Sequence, residues 1–192
     1  MELNQTPLEN EIARLEAELL EKQKRLNYLR GQLPPEEVQD YVLKGSNGKQ
    51  VRLSDMFDDK EDLIVIHNMG KSCSYCTLWA DGFNGVLQHL ESRAAFVVVS
   101  PDPPEVQAAF AQNRGWQFKM YSSEGSTFTE DMGFKRGNGW LPGVSTFYKK
   151  TDDKIVHISK ANFGPGDSFC ASWHLFDLLA NGVNGWQPAF KY

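Results

Sequence analysis

Two short apolar runs constrain this chain more than anything else in it. They are Leu63-Ile-Val-Ile66 and Ala95-Phe-Val-Val-Val-Ser100, the second apolar up to its last residue. Neither is long enough for a helix and neither alternates with polar residues, the pattern of a strand buried on both faces. Between them Trp79, Phe83, Val86, Leu87 and Leu90 recur at helical spacing. Pro104–Arg114 reads as a second helix with Val106, Ala109 and Phe110 on one side, closed by Gly115, and Trp116–Tyr121 alternates like a third strand. Strand–helix–strand–helix–strand implies parallel strands joined by right-handed crossovers, and so an α/β domain.

The turn from the first strand into the first helix carries His67-Asn-Met-Gly-Lys-Ser-Cys73-Ser-Tyr-Cys76. Unpaired backbone N–H groups and the helix dipole favour negative charge at such a turn. A cysteine there has its thiol pKa lowered, which makes it a nucleophile. Two residues on, a second cysteine can attack a mixed disulfide formed by the first. The spacing therefore predicts a thiol–disulfide redox pair with Cys73 as the exposed nucleophile and Cys76 as the resolving thiol. His67 can either take a proton from a cysteine or stabilise the thiolate as imidazolium; the alternative is a strand-end histidine hydrogen-bonded into the core. Lys71 reads as a solvated loop charge, and Tyr75 as part of a docking surface.

The 192 residues suffice for one domain with a sizeable core and some extra length. Lys plus Arg is 20 against 25 for Asp plus Glu, a net charge of −5, which argues against nucleic-acid binding. No apolar run is long enough to span a membrane, and Met1-Glu-Leu-Asn-Gln5 lacks the basic and apolar regions of a signal peptide. The expectation is a cytoplasmic protein. Three cysteines in a reducing compartment suggest catalysis or metal binding, not a disulfide framework.

Residues 1–35 read as an N-terminal amphipathic helix. Thr6-Pro7-Leu8-Glu9 carries a capping residue, a proline suited to the first helical position and a capping-box glutamate. Leu8, Ile12, Leu15, Leu19, Leu26 and Leu29 follow as a heptad seam, with Lys22 in the skipped position. Acidic residues come early and basic residues late, as the helix dipole favours, and Gly31 and Pro34-Pro35 end the helix. About 24 residues span roughly 36 Å. The seam can pair with a second copy to give a homodimer, or pack along its own domain.

Residues 36–192 read as the redox domain. Asn47-Gly48 between Tyr41-Val-Leu43 and Val51-Arg-Leu53 signals a hairpin, and Ser54–Phe57 a short helical turn. Ser122–Gly139 has no clear period and reads as an irregular excursion with a short helix. Leu141–Tyr148 and Ile155–Ser159 form an antiparallel hairpin, and Phe169, Trp173, Phe176 and Leu179 mark a last helix.

This order of elements resembles a thioredoxin-like domain, a central mixed β-sheet flanked by helices, here with a long N-terminal helical extension. The string Cys73-Ser-Tyr-Cys-Thr-Leu-Trp-Ala-Asp-Gly-Phe-Asn-Gly85, with Tyr121–Ser126, Leu141–Phe147 and the leader ending Gln32-Leu-Pro34, is similar to a bacterial thioredoxin-like family of unknown function described as predicted dithiol–disulfide oxidoreductases. The resemblance covers most of the chain. It implies a reaction type without a bound organic cofactor, acting on a protein or small-molecule disulfide or dithiol. It also implies a cis peptide bond at Pro142, which in thioredoxin-like proteins precedes the hairpin strand and lies against the redox cysteines. The sequence departs from thioredoxin at Ser72, at Ser74-Tyr75 between the cysteines, and at His67 where thioredoxins carry a buried acid.

Two other chemistries compete. Cys170 and His174, four apart on the last helix, could join Cys73 and Cys76 in a Cys3His zinc site. Peroxiredoxins share the general fold, but their Pro-x-x-x-Thr-x-x-Cys pattern meets Ile66 and Gly70 here in place of the proline and threonine. An adaptor that uses only the fold and the leader helix is a third possibility.

Overall fold

The computed structural model describes residues 6–192 and divides into two units, a leader ending at Pro35 and a second unit from Glu36 to Tyr192. The reading of Met1–Gln5 as lacking a signal sequence lies outside the described residues. The leader is one helix, α1 (Pro7–Gly31). It begins as the sequence predicts: Glu9 N donates to Thr6 Oγ1, and Thr6 N donates to the Glu9 carboxylate at 2.6 Å. None of its residues is buried.

The second unit is built on an eight-stranded sheet. Its strands in chain order are β1 (Glu36–Val38), β2 (Val42–Gly45), β3 (Gln50–Arg52), β4 (Asp62–His67), β5 (Ala95–Ser100), β6 (Lys119–Ser122), β9 (Gly143–Lys149) and β10 (Ile155–Asn162). They lie side by side as β1-β10-β9-β4-β5-β6-β2-β3. β4, β5 and β6 are parallel, as the two apolar runs require, and the β9–β10 hairpin adds to β4 antiparallel. A separate two-stranded ribbon, β7 (Lys135–Arg136) with β8 (Gly139–Trp140), and a helical turn, α5 (Phe128–Asp131), occupy the aperiodic stretch.

The crossover helices are α2 (Ser74–Gly85), α3 (Leu87–Arg93) and α4 (Pro104–Arg114); the last helix is α6 (Ala171–Asp177). The single helix suggested by Trp79 to Leu90 is thus two, broken at Val86 (φ −117°, ψ 14°) just after Gly85. Glycine there exposes backbone and costs helix propensity.

Each sheet face carries its own core. Leu43, Leu53, Met56, Phe57, Phe128, Phe134 and Phe147 pack on one face, and Ile66, Cys76, Trp79, Phe96, Phe118, Phe163 and Trp173 on the other. In β4, Leu63 and Val65 join the first and Ile66 the second, so successive residues serve opposite faces.

Three expectations are corrected. Every peptide bond among the described residues is trans, including Leu141–Pro142. Trans is the lower-energy form even for proline, and the hairpin reaches β4 without the switch. Cys170 is the residue capping α6 and is buried, whereas His174 is exposed, so the two do not share a face. Finally, the buried position in mid-α4 is Gln107, while Ala109 is exposed.

Candidate functional site

The cysteines stand beyond the carboxyl end of β4, where open α/β sheets place their sites. β4 ends at His67, and Asn68 N donates to Val99 O of β5 at 2.8 Å, holding the loop to the sheet. Gly70 then turns the chain with φ +102°, and its N–H donates to Asn68 Oδ1 at 2.8 Å. A Cβ on Gly70 would stand about 2.9 Å from the Asp102 carboxylate. That carboxylate accepts from Lys71 N at 2.6 Å. Asp102 lies in the β5–α4 connection, so two strand ends clamp one loop.

Cys73 is the capping residue of α2. Its Sγ accepts from Cys76 N at 3.0 Å, and its carbonyl accepts from Thr77 N and Thr77 Oγ1 at 3.1 and 3.0 Å. The sulfur thus takes the place that a serine oxygen fills at other helix starts. A hydrogen bond from the Cys76 thiol and the backbone N–H groups of Cys76 and Tyr75 hold its pKa at about 7, against the opposing effect of burial. Cys76 is 3% exposed and its Sγ accepts from Met69 N at 3.4 Å. The hydrogen bond to Cys73, with burial and the neighbouring thiolate, pushes its pKa well up. One sulfur is therefore partly exposed with a lowered pKa, and the other is a buried thiol one turn deeper.

Aromatic rings enclose the pair. Tyr75 lies 6.1 Å from Trp173 and 6.3 Å from Trp79, and Trp79 lies 5.3 Å from Phe163, ring centre to ring centre. Phe163 N donates to Pro142 O at 2.9 Å, and Asp167 accepts from Trp79 Nε1 at 3.4 Å. Pro142 immediately precedes Gly143, which pairs with His67 at the same end of β4. The Phe163–Asp167 segment is thus packed on the cysteine-bearing helix.

His67 does not face the cysteines. It is 1% exposed on the other side of β4, stacked on Phe134 at 4.0 Å and Phe128 at 5.6 Å, with Nε2 2.9 Å from Ser145 Oγ. The core-histidine alternative is the one observed. Nor is the Cys3His zinc set assembled: among the described residues, no three His, Cys, Asp or Glu side chains gather as ligands.

Residues 8–189 match the family described as bacterial protein of unknown function (DUF899). The chain belongs to this family. The resemblance in the sequence therefore holds, and the fold is thioredoxin-like. The chain is also similar to proteins named as peroxiredoxins. It is 30% identical over 130 residues to the Mycobacterium tuberculosis protein named "Putative peroxiredoxin Rv1608c", covering 66% of this chain and 84% of that one. It is similar to the crystal structure of Peroxidoxin BcpB from Mycobacterium tuberculosis, with 28% identity, a TM-score of 0.53, and 67% and 84% of the two chains covered. A cysteine-to-serine mutant of Xylella fastidiosa PrxQ shares the fold at 17% identity, with a TM-score of 0.52 over 67% and 84% of the two chains. These relationships support thiol-based redox chemistry on a thioredoxin fold. No described helix is long and apolar enough to cross a membrane.

Sequence reasoning missed Asn68, Thr77, Asp102 and Gln107, which shape the loop. A signal existed for one: Asp102, just before Pro103-Pro104, follows a buried parallel strand at its carboxyl end.

Proposed function

We propose that the protein is a dithiol–disulfide oxidoreductase working in a reducing compartment such as the cytoplasm, with Cys73 as nucleophile and Cys76 as resolving thiol. The observation that carries this is the Cys73 sulfur at the start of α2, accepting from Cys76 N and held at a pKa of about 7. An attacking thiol is most effective when its pKa lies near ambient pH. The Cys73 thiolate attacks one sulfur of a protein or small-molecule disulfide and displaces the other as thiolate. Cys76, losing its proton to that leaving group or to water, then attacks Cys73 Sγ. The Cys73–Cys76 disulfide forms, two electrons pass to the substrate, and the second substrate thiolate departs. Pro142, at the β9 entrance beside this loop, supplies the neighbouring backbone wall.

A second reading is favoured by the named relatives: the same thiolate reducing a peroxide. Cys73 would take one peroxide oxygen as sulfenic acid, releasing water or alcohol, and Cys76 would expel that oxygen as water while closing the disulfide. Ile66 and Gly70 stand where the usual peroxide-activating proline and threonine would be.

The variants separate these readings. Reduced wild type should react with an aromatic disulfide and with iodoacetamide with a pH midpoint of about 7. Cys73→Ser should lose both reactions. Cys76→Ser should accumulate a mixed disulfide visible by mass spectrometry, or, with cumene hydroperoxide, a sulfenic acid trapped by dimedone; the faster of the two arms assigns the substrate class. Full activity in Cys73→Ser, or an alkylation midpoint at the ordinary thiol value of about 9, would overturn the assignment.

A further inference from the structure

The leader helix carries an apolar seam whose charged flanks select one way of pairing. Leu8, Ile12, Leu15, Leu19, Leu26 and Leu29 remain between 41% and 70% exposed along α1. Spaced by fours and threes, they are the a and d positions of a heptad, with Ile12, Leu19 and Leu26 at a, and Leu8, Leu15, Lys22 and Leu29 at d. The e positions are then Glu9, Glu16, Gln23 and Arg30, and the g positions Glu11, Glu18 and Arg25 with Gln32 beyond the helix end.

We infer that α1 pairs with α1 of a second copy of this chain, and that the two helices run antiparallel. In a parallel pair, each g residue faces the e residue five positions on in the other copy. Glu11 would meet Glu16 and Arg25 would meet Arg30, each twice by symmetry. The two Lys22 ammonium groups would also face each other in one core layer. Like charges so placed are destabilising.

An antiparallel pair sets e against e and g against g. Ile12 then layers on Leu29 of the second copy, Leu15 on Leu26, and Leu19 on Lys22. Glu9 meets Arg30 and Glu18 meets Arg25, each twice, while Glu16 meets Gln23. Lys22 lays its methylene stem on Leu19 of the second copy and sends its ammonium to water. The dipole-favoured ordering of the helix, acidic early and basic late, becomes complementary only when the direction is reversed. Arg14 bonds Glu11 and Glu18 within one helix, and both glutamates stay about half exposed. A carboxylate with two oxygens accepts several donors, so Glu18 can hold Arg14 and the second copy's Arg25 together. The pairing is independent of the chemistry at Cys73.

The test uses the full chain, with its mass followed by sedimentation across a concentration series and helix content followed by circular dichroism. The wild type should reach twice the 21.7 kDa chain mass. Arg25→Glu should raise the dissociation constant about tenfold, since it sets a new carboxylate against Glu18 twice. In a parallel pair, the same change would place a glutamate against Arg30 and tighten the dimer. The double variant Glu18→Arg/Arg25→Glu should return to near wild-type affinity. A wild type that stays monomeric at high concentration would overturn the inference. So would an Arg25→Glu variant that dimerises as well or better with its helix intact, or a double variant that fails to recover.

Discussion

His67 and Cys73 lie six positions apart and face opposite sides of the sheet, and their titrations run to different ends. Burial, then the nearby His157 and Lys160, holds the His67 pKa at about 3. In the unfolded chain the same ring binds a proton near 6.5, so the folded state is disfavoured as acid is added. The stability tied to neutral His67 is complete above pH 6.5 and is lost at about 1.4 kcal/mol per pH unit as pH falls towards 3. His67→Phe keeps a ring on Phe134 but leaves the buried Ser145 hydroxyl without its partner, at a cost of about 1–3 kcal/mol at pH 7. Denaturant unfolding at pH 7, 6, 5 and 4 should show the wild type losing stability faster than the variant below 6.5. His157, also lowered by burial, adds to both curves alike; parallel curves would refute the assignment. The cysteines were legible in the sequence because a strand–turn–helix junction makes their spacing informative. The face of His67 was not, because every neighbour in Leu63–Ile66 is apolar and both faces of β4 are buried. Where no polar residue marks an outside, the strand period of two cannot say which side the next residue takes.

At the scale of elements, the β5–α4 connection shows what periodicity leaves out. Gln107 Nε2 lies 2.8–3.1 Å from Ser100 O, Ser100 Oγ, Asp102 O and Tyr121 O, so one side-chain amide ties β5, β6 and the Asp102 turn together. A glutamine inside a helix reads from sequence as a solvent-facing residue, and only the convergence of three chain segments makes it core. Gln107→Met keeps the size but strands buried carbonyl groups, and stability should fall by about 2–3 kcal/mol in denaturant unfolding. A loss under about 0.5 kcal/mol would show that water replaces the amide. The strands β4, β5 and β9 and the helix α4 were readable because their apolar runs or caps are strong. β1 was not: Glu36-Glu37-Val38 is a three-residue edge strand paired, among the described residues, with β10 alone, and an edge needs no apolar pattern. The break at Val86 was equally hidden, since the apolar spacing continues through it while the backbone does not.

The whole molecule holds two kinds of order that hydrogen exchange should separate. All six residues of β5 are buried between two parallel neighbours, with an apolar core on each sheet face. Opening its amides requires losing both cores, so they should exchange only through global unfolding. α1 buries nothing of its own, and helices in proteins draw most of their stability from a packed apolar face. Its amides should be the least protected of any helix in a dilute sample. If α1 is held by a second copy, mass action adds stability that grows with protein concentration, about 0.7 kcal/mol per chain for each tenfold rise once most chains are paired, because free partner then rises as the square root of total concentration. Exchange measured at two concentrations a hundredfold apart should therefore slow markedly across Leu15–Leu29 and stay unchanged in β5. Equal protection of α1 at both concentrations would place its stability within a single chain. A concentration effect in β5 as well would mean that the second unit, not the leader, carries the association.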